Sequence, residues 1–163
     1  MFPVRTILHP TDFSAYSQAA FGVACALARD YGARLIVLHV GVPPTPIVPE
    51  AMLAFDTGLF EAELRAKLNA IEFPEGVYSL ERRLVLATEP VTEILETARR
   101  ERCDLIVMGT HGRTGLRQLV MGSVAEQVLR EASCPVLTVR APLPALAEEG
   151  AGAAGEVRAV ASI

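Results

Sequence analysis

A chain of 163 residues, 51% of them apolar, fits one compact domain with a real core, and a net charge of −4 works against nucleic acid rather than for it. Cys25, Cys103 and Cys134 form no CxxC pair and no Cys/His group, so neither a disulfide framework nor a zinc site is favoured, and free thiols in a reducing compartment are expected. No apolar run reaches the roughly 18 residues of a membrane span, and Met1 runs into Pro3-Val4 without a basic and apolar leader, so the expected location is cytoplasmic.

In chain order, Val4–His9 is short, apolar and β-branched, which predicts a buried strand. Thr11-Asp12-Phe13-Ser14 is turn and helix-cap chemistry. Ala15–Tyr31 follows as a helix with Ala20, Val23, Ala24 and Leu27 on one stripe and Gly32 as its stop. Leu35–Val40 is apolar throughout, as in a parallel strand covered on both faces. Residues 41–49 are too rich in proline for regular structure. A helix is clearest over Leu59–Ile71, with Phe60, Leu64, Leu68 and Ile71 inward and Glu61/Arg65 and Glu63/Lys67 paired outside.

Val77–Leu86 then reads as a strand, and Glu89-Pro90 opens a helix whose Val91, Ile94, Leu95 and Ala98 recur at helical spacing. Asp104–Met108 is a strand, Gly122–Ala132 a helix and Val136–Arg140 the last strand. The alternation predicts an α/β fold, a single doubly wound five-stranded parallel sheet with helices on both faces. Such sheets bind ligands beyond the strands' carboxyl ends, which marks residues 9–14, 40–49 and 109–122. Residues 1–140 form the domain, and 141–163, rich in Ala, Gly and Pro, are expected to be a flexible tail.

The most informative stretch runs from Leu105 to Ser123. Gly109 ends a strand, Gly112 follows, and Gly122-Ser123 opens a helix. Glycine permits close backbone approach to an anion, and a helix start offers unpaired N–H groups and a positive dipole end. Arg113 and Arg117 could add charge, and the Ser123 hydroxyl a donor. Spacing alone is equally consistent with plain turns, and Ser123-Val-Ala-Glu126 also reads as a capping box. A P-loop is excluded because the only lysine, Lys67, lies far away, and the Rossmann glycines are missing after the first strand.

The pattern G-x2-G-x9-G-[ST] resembles the nucleotide-binding signature of the ATP-binding universal stress proteins. Ile7–Ser14, Leu35–Val40, Asp104–Gly112 and Ser133–Val139 extend that resemblance, in order, over residues 2–140. It implies an adenine nucleotide alpha hydrolase-like fold and ATP as ligand (AMP or ADP as variants), with Mg²⁺ accompanying it. It also implies contacts from Pro10, Thr11 and Asp12 to nucleotide, ribose or metal, and from the Val40 backbone to adenine. Met108, Gly109, His111, Gly112 and Arg113 would line ribose and phosphates, and Gly122, Ser123 and Val124 would hold the phosphates. Glu89 stands where the family usually has glycine.

The last strand, Val136–Arg140, resembles the family's dimerisation strand, which implies a homodimer. No serine or cysteine has the setting of an activated nucleophile, and His9 and His39 read as core histidines. The expected role is a regulatory stress-response nucleotide binder with no membrane partner. A slow ATP hydrolase or phosphotransferase and an interaction module with an empty pocket are the alternatives.

Overall fold

A computed structural model describes residues 3–44, 56–77, 79–110 and 121–140. Its elements are β1 (Thr6–Pro10), α1 (Ala15–Tyr31), β2 (Arg34–Gly41), α2 (Thr57–Asn69), β3 (Leu80–Leu86), α3 (Pro90–Arg100), β4 (Leu105–Gly109), α4 (Ser123–Glu131) and β5 (Val136–Val139). Element types agree with the sequence reading throughout, and α1 agrees to the residue. The first strand is displaced toward Pro10 and the third begins at Leu80 rather than Val77. Pairing begins where β2 offers a partner: Leu35 N donates to Ser79 O, and Leu35 stands opposite Leu80. Of the two ion pairs expected on α2, Glu61 with Arg65 closes.

The helix ends follow local chemistry. Ser14 caps α1 by accepting from Ser17 N, and Asp56 caps α2 by accepting from Leu59 N. Gly32 closes α1 in the left-handed conformation, φ +63°, with its N–H returned to Ala28 and Arg29.

All pairings in the five-stranded sheet are parallel, in the order β3-β2-β1-β4-β5. Period-two alternation divides the core. Ile7, Leu35, Val37 and Val107 face α1, packing with Ala20, Ala24 and Ala28. Leu8, Ile36, Leu38, Ile106 and Met108 face the other way, packing with Ile94, Leu95, Ala125 and Val128 of α3 and α4. The alanine-rich face of α1 lets its backbone lie close to the sheet. Gly109 makes that closeness visible, since a Cβ there would stand 2.9 Å from the Tyr16 carbonyl carbon and 3.1 Å from Ser17 N.

The strand order reverses between β1 and β4. The helix following β1 covers one face and the helix following β4 covers the other, so the two connections leave the sheet in opposite directions. The carboxyl edge at this reversal is where sheets of this kind hold their ligands.

Candidate functional site

The ladders record where β1 and β4 part. Pairing between β1 and β4 spans Ile7↔Leu105 and Leu8↔Ile106. On either side pairing runs further, to Pro10↔Leu38 and to Gly109↔Val139. Pro10 has no N–H with which to extend a ladder. At the parting, the His9 Nδ1–H donates to the Val107 carbonyl at 2.8 Å, so a side chain bridges the strands instead. His9 is 1% exposed, and its Nε2 has no hydrogen-bond partner. Burial pushes its pKa down to about 4, because the charged imidazolium loses its hydration; the Val107 bond and the Asp12 charge offset this in part.

Beyond β1, the chain is held by its own short polar side chains. Thr11 N donates to Leu38 O at 2.8 Å. The Ser17 hydroxyl donates to Ser14 O at 2.9 Å, which leaves the Thr11 hydroxyl as donor to Ser17 Oγ at 3.1 Å. Phe13 N donates to Thr11 Oγ1 at 3.2 Å and Ser14 N to Asp12 Oδ1 at 3.0 Å. Asp12, half-buried, therefore sets its own turn through one carboxylate oxygen. The cap on α1 is Ser14, not Asp12.

Thr110, just past β4, ties three elements together. Its N–H donates to Val139 O at 2.9 Å, and its hydroxyl lies 3.3 Å from the same carbonyl. Its own carbonyl accepts from Gly122 N at 2.7 Å, which draws the start of α4 onto the end of β4. Gly122 is the N-cap of α4, extended at φ −74°, ψ 151°, with no side-chain cap bond. Ser123 is already helical, so the capping box read from the sequence does not form. Glu126 instead pairs with Arg130 at 2.6 Å, and its N–H reaches Gly122 O. Ser123 and Val124 are exposed. The first turn of α4 thus presents its N–H groups without a side-chain cap, next to the carboxyl end of β4.

The structure brings Pro10, Thr11, Asp12, Gly109, Gly122, Ser123 and Val124 to one edge of the sheet. Val40 is at the same edge, near the end of β2, with its side chain packed on the core. Met108 is likewise buried in the core. Gly109 has a packing reason of its own, since its bare Cα faces the α1 backbone. His111, Gly112 and Arg113 lie outside the described residues, as do Arg117 and the tail from 141. Sequence reasoning missed Thr110 and Ser17 and gave His39 only a core role. A histidine within an otherwise apolar run was the available signal for the last, whereas Thr110 and Ser17 act through contacts that no spacing rule encodes.

The model of the universal stress protein family matches residues 3–140. A universal stress protein of Thermus aquaticus is 40% identical over 139 residues, covering 83% of this chain and 98% of that one. Among solved structures, the universal stress protein UspA from Lactobacillus plantarum shares the fold at TM-score 0.67 and 24% identity, covering 84% of this chain and 98% of that one. A universal stress protein in complex with cAMP matches at TM-score 0.56 and 25% identity, covering 84% of this chain and 97% of that one.

Proposed function

The chain belongs to the universal stress protein family, and on that premise we propose that it binds an adenine nucleotide, ATP with Mg²⁺, at the carboxyl edge of its sheet. The observation that carries this reading is the uncapped start of α4 at Gly122, drawn by Thr110 to the edge where β1 and β4 part. Bare N–H groups and the positive end of a helix dipole suit a phosphate chain. Gly122 adds no side chain between that chain and the backbone. The relative solved with cAMP gives independent support for an adenine nucleotide as the ligand class.

The donor set fits nucleotide with metal. Among the described residues no group of three His, Cys, Asp or Glu side chains gathers to hold a metal by itself. Mg²⁺ commonly keeps several waters and binds through one or two carboxylates plus phosphates, which suits an ion brought by ATP with Asp12 beside it. When bound, the ion neutralises phosphate charge. The chain's own part is to hold Asp12 in its turn and to present the α4 amides.

The proposed role is regulatory binding in a cytoplasmic homodimer. The polar side chains of the first loop are engaged in fixing that loop, which suits holding a ligand more than moving protons. β5 is an edge strand with Leu137 exposed, and pairing with its copy would cover that edge. Calorimetric titration with Mg-ATP tests the site. Wild type should bind, and Gly122→Val should lose about tenfold or more in affinity while its melting temperature stays near wild type. Equal affinity in the two proteins would remove α4 from the site.

A further inference from the structure

We propose that His39 is a positioning residue for the Thr11–Asp12–Phe13 turn, acting through the Thr11 carbonyl. The inference rests on the nucleotide reading only for its consequence in binding; the geometry stands without it. His39 is on β2 and is 5% exposed. Its Nδ1 lies 2.7 Å from Thr11 O, and since a carbonyl only accepts, Nδ1 carries the proton. The neighbouring Leu38 carbonyl accepts from Thr11 N at 2.8 Å. Consecutive β2 residues thus grip both backbone polar groups of Thr11, after β1 itself has ended at Pro10.

The next link is Phe13. It has φ +64°, a conformation that a bulky L-residue rarely adopts. Its ring lies 4.2 Å from the His39 ring, centroid to centroid, tilted by 37°. Its N–H returns to Thr11 Oγ1. His39 therefore meets the turn twice, at the carbonyl before Asp12 and at the ring after it. Between those two contacts stands Asp12, whose carboxylate direction is fixed by the same turn through Ser14 N. Without the Nδ1 donor, the buried Thr11 carbonyl loses its partner, and the left-handed Phe13 loses the anchor on its N-terminal side. A nucleotide meeting Thr11 and Asp12 would then meet a turn with several conformations in place of one.

The test compares His39→Leu with His39→Asn, whose amide nitrogen can reproduce the Nδ1 donor. Amide hydrogen exchange is read at Phe13 and Ser14 in nucleotide-free full-length protein, normalised to Leu95 in α3 for global opening. His39→Leu should speed exchange at Phe13 and Ser14 by about tenfold or more, and His39→Asn should stay within about threefold of wild type. Mg-ATP affinity should follow the same order. If His39→Leu does not fold, His39→Gln, which reaches the Nε2 position instead, replaces it. Unchanged exchange at Phe13 and Ser14 without the Nδ1 donor overturns the proposal, as does an Asn variant as fast as Leu. If wild type binds no nucleotide, the binding proposal falls, while the exchange comparison still decides the role of His39.

Discussion

The two edges of one sheet treat their polar groups in opposite ways. At the amino edge they satisfy each other. Asp104 Oδ2 accepts from Arg5 N at 2.8 Å and Thr6 N at 3.0 Å, pinning the entry of β1 to that of β4. Arg34 and Arg83 both pair with Glu81 and Glu101, in a network spanning β2, β3 and the end of α3. At the carboxyl edge the β1–β4 ladder stops early, α4 begins without a side-chain cap, and a neutral histidine bridges the gap. The difference teaches that partly solvated ion pairs pin the strand entries, whereas single buried contacts hold the strand exits.

Acid should separate the two edges most strongly. The folded pKa of His9, about 4, lies below its ordinary 6.5, so the unfolded chain binds the extra proton between those values. Stability from neutral His9 is therefore complete above pH 6.5 and is lost as pH falls toward 4, by roughly 3 kcal/mol in all. Chemical denaturation from pH 7 to pH 4 should show that slope in wild type, and His9→Asn, which keeps a donor for Val107 O, should flatten it. A slope unchanged in His9→Asn would place the acid sensitivity elsewhere.

Packing against α1 is the next lever. Gly109→Ala puts a Cβ against the backbone of Tyr16 and Ser17, which cannot swing aside as a side-chain tip would. A loss of about 1–3 kcal/mol is expected, read as a lower denaturation midpoint at unchanged m-value. An unaffected midpoint would mean that β4 and α1 approach less closely than described.

The amino edge should give the smallest response. In Glu101, hydrogen bonds from Arg83 lead in holding the carboxyl below its ordinary 4.5, and in Glu81 the two arginines together outweigh a desolvation that acts the other way. The stability they contribute is present above 4.5 and is lost as pH falls below it, from the acid end of the His9 window downward. Glu101→Gln should cost about 1 kcal/mol or less at pH 7, since these pairs are partly solvated. Its effect should fade with added salt, whereas the His9 slope should persist. A large, salt-insensitive loss would contradict the division between the two edges.

Much was determined by the sequence alone. Apolar runs, alternation and helical spacing bounded by turn residues gave the five strands and four helices of the described residues, because burial periodicity is a local property. Asp12 and Gly122 could be picked out from local chemistry, standing in a turn and at a helix start, whereas Pro10 came from the family likeness. The family likeness pointed to Asp12 and Gly122 from a second direction. Tertiary structure alone decided how those residues are held. Whether Ser123 caps its helix depends on the backbone angles of Gly122, and those depend on the bond to Thr110. The positions of His9 between parting strands, of His39 beneath the Thr11 turn and of Gly109 against α1 join residues distant in the chain. Such contacts are fixed by strand register and by the face each helix covers, quantities that no short window of sequence contains.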